Sequence, residues 1–157
     1  MALLAAGLGG ASPASAACEN PFTPTDLVNC VVPVTGTYTF NVALDSATQS
    51  ASGVPGDPGA SGSASITMNA GGNQVCWTYT VSGAGTVASA GIYEGGRGQP
   101  ASPVPVVPFT STSGCSLVAP GEIGVMVKCP GQFNVTVRTL SHPAGAIRGQ
   151  LGSTCSA

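Results

Sequence analysis

Six cysteines are the residues of this 157-residue chain whose chemistry is easiest to recognise. None of them lies in a C-x-x-C pair, which favours disulfide bonds over a zinc site. An even number in a chain that looks exported predicts that all are paired, although six cysteines allow about 15 pairings that spacing alone does not resolve. The cysteines are Cys18, Cys30, Cys76, Cys115, Cys129 and Cys155.

Residues suited to catalysis are sparse. A Ser–His–acid triad would have to use His142, the single histidine, which stands beside Pro143 in a predicted turn, and no serine occupies a G-x-S-x-G elbow. Glu94 and Glu122 could form a carboxylate pair, but such a pair also arises readily by chance. We therefore expect no enzymatic activity, no catalytic residue and no bound cofactor.

The composition favours strands and turns. Charged residues make up 6% of the chain, against about 25% in an ordinary soluble domain. Glycine and proline are abundant, whereas the residues that build long helices are rare. The basic residues Arg97, Lys128, Arg138 and Arg148 are scattered and the net charge is −2, so no basic stripe exists to bind a phosphate backbone and nucleic acid is not an expected partner.

Residues 1–17 have the pattern of a signal peptide. An apolar run, MALLAAGLGG, precedes the small residues ASPASAA, which predict cleavage near Ala16 or Ala17. The run is too short to span a bilayer, and no basic residue precedes Arg97, so the signal is expected to be truncated at its N-terminus. Residues 18–157 are then one domain, secreted or held in the cell envelope.

A lipid anchor on Cys18 is the alternative interpretation of the cleavage region. Ala16-Ala17-Cys18 resembles a bacterial lipobox, but Ser15 stands where an aliphatic residue is preferred. Acylation of Cys18 would also leave Cys30 without a disulfide partner. We therefore favour the simple secretory signal.

Alternating side chains predict six or seven strands, which together indicate an all-β antiparallel sandwich or barrel. Trp77 lies on the apolar side of the clearest strand and should be buried between two sheets, its indole N–H bonded to a carbonyl or water. Residues 45–61 have no hydrophobic pattern and are predicted to be loop. The predicted strands are 37–44, 64–69, 75–81, 87–93, 106–109, 133–138 and 146–151, with a hairpin turn at 70–73 and a loop at 95–105.

Residues 120–129 fit two structures. GVMVK has the propensity of a strand, whereas Pro120 suits a first helical position and Ile123, Met126 and Val127 lie on one helical face. We favour one short helix near 121–129.

Three segments in order resemble the CHRD domain, the module named after chordin and common in exported bacterial proteins. The resemblance covers about residues 36–151 and implies a short helix ending at Pro130. Similar bacterial members often carry both Cys76 and Cys115, which implies that these two are paired. By position, Cys18–Cys30 would close an N-terminal loop and Cys129–Cys155 would tie down the tail. The segments are SGSASITMNAGGNQVCWTYTVSG at 61–83, AGIYEGGRGQPASPVPVVPF at 90–109 and FNVTVRTLSHPAGAIRGQL at 133–151.

The family's histidines are replaced in this chain. The resemblance places a His-x-His pair and a third histidine where this chain has Gly91, Tyr93 and Arg138. In the family those histidines would suit a metal site like that of a superoxide-dismutase-type Greek-key sandwich, an analogy at the level of fold. Glycine offers no ligand and arginine is not deprotonated in proteins, so we expect no metal site.

Two groups of polar residues could contact a partner. Arg148 and Gln150 belong to the family signature GAIRGQL, and we expect them to satisfy backbone or loop carbonyls at a sheet edge. Tyr93, Glu94 and Arg97 beside the glycine-rich loop form the best polar-aromatic patch for a partner.

The resemblance implies no defined biochemical activity, so three functions are weighed. We favour a secreted, disulfide-stabilised, non-catalytic module that binds an extracellular protein or glycan. The alternatives are an exported metal protein or enzyme with a degenerate dismutase-like site, and a structural component of the cell envelope, which the low charge and the mean hydropathy of +0.32 suggest.

Overall fold

In the part of the chain that the structure describes, one antiparallel sheet of eight strands curls into a nearly closed barrel. The computed structural model describes residues 34–153 and Cys155. The strands follow the order β5-β4-β7-β8-β1-β2-β3-β6, so the all-β antiparallel fold expected from the sequence is confirmed. The strands are β1 Thr37–Asp45, β2 Ser61–Asn69, β3 Gln74–Ser82, β4 Val87–Glu94, β5 Val107–Pro108, β6 Ser113–Leu117, β7 Phe133–Thr139 and β8 Ile147–Gln150.

The period-two pattern of the strands places the apolar side chains inside the barrel. In β1 the side chains of Val42 and Leu44 are buried, while the alternating residues Asn41 and Ala43 are exposed. The hairpin between β2 and β3 turns at Asn73, which has a φ of 49° that asparagine tolerates. The amide of Gly72 is bound by the Asn69 side chain in the same turn, at 3.2 Å.

Trp77 is buried as expected, with 3% of its surface exposed. Its indole N–H donates to the carbonyl of Ser111 at 2.9 Å, and its ring stacks on Phe109 with 4.8 Å between centroids. The ring lies inside a single curled sheet rather than between two separate sheets.

Residues 45–61 are more ordered than their composition indicates. A single helical turn, α1 (Ser46–Ser50), begins where the side chain of Asp45 accepts the backbone N–H of Thr48 at 2.6 Å. Strand β2 begins at Ser61, three residues earlier than predicted, because Ser61 pairs with both Asp45 and Ser82. The outward side chains of this stretch are small and polar, so pairing rather than hydrophobic pattern defines the strand.

The ambiguous segment 120–129 is helical. Helix α2 (Glu122–Lys128) buries Ile123 and Met126 against the barrel, and a 3-10 turn follows at Pro130–Gln132. Within the part of the chain that the structure describes, no helix is long and apolar enough to cross a membrane.

Two disulfide bonds are present among the described residues. Cys76 and Cys115 are opposite each other on β3 and β6, and Cys129 at the end of α2 is joined to Cys155 in the tail. Strand β6 itself was not predicted, since its sequence SGCSL has no apolar alternation. The expected Cys18–Cys30 pair, the signal peptide and the lipobox alternative lie outside the described residues.

Candidate functional site

A polar cluster lies on the outer face of β4, β7 and β8, under the loop formed by residues 95–105, which we call the cover loop. The register places Asn134 opposite Gln150 and Thr136 opposite Arg148. Three side chains of this cluster point away from the barrel interior, because they alternate along β7 and β8 with the apolar side chains of the core. They nevertheless have no exposed surface: Asn134, Thr136 and Arg148. The cover loop is what removes them from solvent.

Arg148 is the centre of this cluster. Its guanidinium donates to the carbonyls of Gln99 at 2.6 Å, Gly96 at 2.7 Å and Gly95 at 3.1 Å. Its Nε donates to the side chain of Gln150 at 2.9 Å. No carboxylate among the described residues forms a salt bridge with it. Loss of hydration lowers the pKa of Arg148 from its ordinary value, and backbone oxygens replace the lost water.

A single backbone carbonyl, that of Gly95, accepts three side-chain donors. They come from Asn134 at 3.0 Å, Gln150 at 3.1 Å and Arg148 at 3.1 Å. Gly95 has a φ of 148°, and a Cβ at this position would lie 2.7 Å from the carbonyl of Pro100. The first residue of the cover loop is thus fixed by β7 and β8 together.

Arg148 and Gln150 bond to loop carbonyls, as we expected. They do not lie at a sheet edge, which is where we expected them. Strand β8 lies inside the sheet, between β7 and β1. Gln150 also donates to the carbonyls of Gly131 at 3.0 Å and Phe133 at 3.2 Å. The pair therefore connects the cover loop to the segment that follows α2.

The three positions at which the resemblance led us to expect histidines lie on this same outer face. Gly91 pairs with Thr136 and Tyr93 with Asn134, and the guanidinium carbon of Arg138 lies 4.4 Å from the centre of the Tyr93 ring. Arg138 also donates to the carbonyl of Ser102, a cover-loop residue, at 3.2 Å. Arg138 thus makes a cation–π contact and a hydrogen bond to the cover loop, and it does not act as a metal ligand.

The three residues of the expected partner patch, Tyr93, Glu94 and Arg97, differ in how much of their surface is exposed. Tyr93 is 2% exposed and covered by Arg138, so it offers no surface to a partner in this structure. Glu94 is half-buried, and Arg97 is exposed in the cover loop. Arg97 is the residue of the three that a partner can reach directly.

Glu94 lies close enough to Glu122 for its charge to affect the ionisation of Glu122. Burial raises the pKa of both carboxyl groups, and the charge of Glu94 raises the pKa of Glu122 further. No group of three or more histidine, cysteine or acidic residues that could hold a metal occurs within the described chain.

His142 does not have the geometry of a catalytic triad. Its Nδ1 lies 3.2 Å from the hydroxyl of Ser141 and 3.9 Å from the carboxylate of Asp57. A triad needs the acid on one ring nitrogen and the nucleophile on the other. Because both contacts use Nδ1, this ring does not relay a proton between them.

A shallow depression of about 410 Å³ lies over β1, β2 and β3. Small hydroxyl and amide side chains line it, including Asn41, Ser65 and Thr78, and no charged residue does. Its lining also includes the phenol of Tyr79, but it has no histidine, carboxylate or amine that could activate a hydroxyl group.

Asn134 is a member of the polar cluster that the sequence did not reveal. Its place in Asn134-Val135-Thr136 matches a glycosylation sequon, and its outward position indicates exposure. Instead its amide nitrogen donates to the carbonyl of Gly95, and its oxygen accepts the Thr136 hydroxyl at 2.6 Å. The only available signal was three polar outward residues in succession on one strand.

Residues 40–151 match the family model of the CHRD domain, which is more than half of the chain. No curated protein and no solved structure matches this chain.

Proposed function

The chain belongs to the CHRD-domain family, and from that premise we propose that it is a secreted, non-catalytic binding module that contacts its partner through the cover loop. The partner class is an extracellular protein or glycan. Family membership supports a module without enzymatic activity, and the two disulfides fit an oxidising compartment.

One observation carries the assignment of the loop: Arg148 is a buried cation whose guanidinium bonds to three cover-loop carbonyls. Burying a charge is costly unless hydrogen bonds compensate for lost hydration. Here those bonds all restrain a glycine- and proline-containing surface loop. A restrained loop loses little conformational entropy when it binds, which favours recognition.

Arg97 gives the loop its chemical character. It is exposed, and it is the only charged residue between Glu94 and Glu122. Its guanidinium presents several donors in a rigid fork, which matches carboxylate groups on a protein or an acidic glycan. The partner surface is therefore expected to provide an acidic group.

The test measures the affinity of three proteins for the same set of probes. The proteins are the wild type, Arg97→Gln and Lys128→Gln. Lys128 is the matched control, since it is the other basic residue that makes no bond to the cover loop. The probes are an array of acidic and neutral glycans and the secreted proteins of the native source. We expect Arg97→Gln to lose at least ten-fold in affinity while Lys128→Gln binds as the wild type does. Equal binding by all three proteins, or equal loss in both variants, would contradict the assignment.

A further inference from the structure

The two edges of the sheet are protected differently. Strand β5, at one edge, has only two residues, and one of them is Pro108, which has no N–H to offer. Strand β6, at the other edge, has five residues with no proline and no charge, and its pairing with β3 contains no register shift. Charges, prolines and bulges are the usual means of preventing an edge strand from pairing with another chain. Strand β6 has none of them.

Hydrogen bonds at the two ends of β6 identify which backbone groups face outward. The amide of Tyr79 donates to the carbonyl of Thr112 at 2.9 Å, and the amide of Val118 donates to the carbonyl of Asn73 at 2.8 Å. Opposite residues on two antiparallel strands alternate between pairs that are joined by backbone hydrogen bonds and pairs that are not. The backbone groups of the even-numbered residues of β6 are therefore the ones that bond to β3. The N–H and C=O groups of Ser113, Cys115 and Leu117 therefore point away from the sheet.

Strand β6 is held rigidly in this orientation. Its central residue, Cys115, is bonded to Cys76 of β3. Gly114 lies against the Trp77 ring so closely that a Cβ would come within 2.9 Å of it. The Ser111 and Ser116 hydroxyls donate to the outward carbonyls of Ser113 at 2.6 Å and Leu117 at 3.3 Å. The edge therefore needs little ordering before another strand can add to it.

We propose that β6 pairs with β6 of a second copy of this chain, antiparallel, with the two-fold axis at Cys115. In that register Cys115 faces Cys115 and Ser113 faces Leu117, so outward groups meet outward groups at every position. The strand is self-complementary, as a two-fold interface requires. This is addition of a strand to a sheet edge, with the backbone supplying the bonds.

Charge and exposure favour a second copy over other occupants. No charged residue occurs from position 98 to position 121, so two copies meet without repulsion. Leu117 is 73% exposed, and the second strand would cover part of its side chain. The interface uses the β6 edge and does not depend on the binding role proposed for the cover loop.

The first test measures the mass of the full chain by sedimentation over a range of concentrations. The variants are Ser113→Pro, which removes an outward N–H that β3 does not use, and Ser113→Ala, which keeps it. Proline is tolerated at such positions of edge strands. We expect the wild type and Ser113→Ala to double in mass as concentration rises, and Ser113→Pro to dimerise at least ten-fold more weakly. A wild type that stays monomeric, or a Ser113→Pro variant that dimerises equally well, would overturn the proposal.

The second test uses the wild type alone, so it does not depend on the folding of a variant. Amide hydrogen exchange is measured in dilute and in concentrated solution. The amides of Cys115 and Leu117 should exchange at least ten-fold more slowly when concentrated, while those of Gly114 and Ser116 should not change. Unchanged exchange at Cys115 and Leu117 would overturn the proposal.

Discussion

The guanidinium of Arg148 is stabilised by backbone oxygens rather than by a carboxylate. Three carbonyls and the Gln150 side chain surround it. A carboxylate partner would neutralise the charge but would not fix a loop, because it offers oxygens at one point only. Carbonyls of Gly95, Gly96 and Gln99 are spread along the chain, so one side chain sets the path of the whole turn.

Trp77 is the residue whose removal should cost most in the barrel interior. It is 3% exposed, stacks on Phe109 and donates to the carbonyl of Ser111. Trp77→Ala should lower the free energy of unfolding by about 3–5 kcal/mol through lost burial and a residual cavity. Denaturant unfolding measures this loss. Trp77→Phe is the control and should lose less, since it keeps a ring against Phe109. Equal stability of Trp77→Ala and the wild type would contradict the packing described.

At the scale of elements, the strands with apolar alternation could be predicted from the sequence, and β6 could not. Strand β7 alternates Phe133, Val135 and Val137 with polar residues, and the structure places it as predicted. Strand β6 has no such signal, because pairing with β3 and the Cys76–Cys115 disulfide define it. That disulfide was implied by family resemblance and not by spacing.

The Cys76–Cys115 disulfide should contribute substantially to stability. The two residues are 39 apart in sequence, and the bond holds the edge strand onto β3. Removing such a bond from a small secreted domain costs about 2–5 kcal/mol. The double variant Cys76→Ala/Cys115→Ala should therefore melt markedly lower than the wild type in a calorimetric scan. A single free thiol at either position in the native protein would show that the pairing is wrong.

Glu122 and Glu94 should make the protein more stable as the pH falls toward about 4. Their pKa values are raised in the folded state. Their contribution is therefore fully present below the unfolded pKa of about 4.3 and is lost as the pH rises through the folded pKa. Glu122→Gln should melt at a higher temperature than the wild type at pH 7 and at nearly the same temperature at pH 4. Glu94→Gln should behave in the same direction. A Glu122→Gln variant that is less stable at pH 7 would contradict the pKa direction.

At the scale of the whole molecule, the outer face of one sheet contains both a solvent-facing surface and a buried polar layer. Over β1, β2 and β3 the outward side chains are mostly small and polar and are exposed or half-exposed, whereas over β4, β7 and β8 the cover loop buries them. Alternation predicts which side chains point outward in both regions. It does not predict that a distant loop covers one region, since the bonds of Arg148 join residues about fifty apart. The polar cluster was therefore only partly visible in the sequence.

Metal should not change the stability of the folded protein. The resemblance would place histidines at Gly91, Tyr93 and Arg138, and in this chain Arg138 packs on the ring of Tyr93. A ligand that binds only the native state must stabilise it. Micromolar zinc or copper should therefore leave the melting temperature unshifted. A saturable shift of several degrees would contradict the expectation and favour a dismutase-like site.

The central claim is that Arg148 fixes the cover loop as a ready-made binding surface. It is tested most directly by amide hydrogen exchange of the loop in the wild type and in Arg148→Lys. Lysine keeps the charge but lacks the fork that reaches several carbonyls. The amides of Gln99 and Ser102, bonded to the carbonyls of Gly96 and Glu94, report on the loop.

A hydrogen bond to a charged group is worth about 1.5–3 kcal/mol, and about 1.4 kcal/mol corresponds to a ten-fold change. In Arg148→Lys the Gln99 and Ser102 amides should therefore exchange at least ten-fold faster than in the wild type, while those of β2 and β3 keep their rates. Equal protection of the loop in both proteins would contradict the claim.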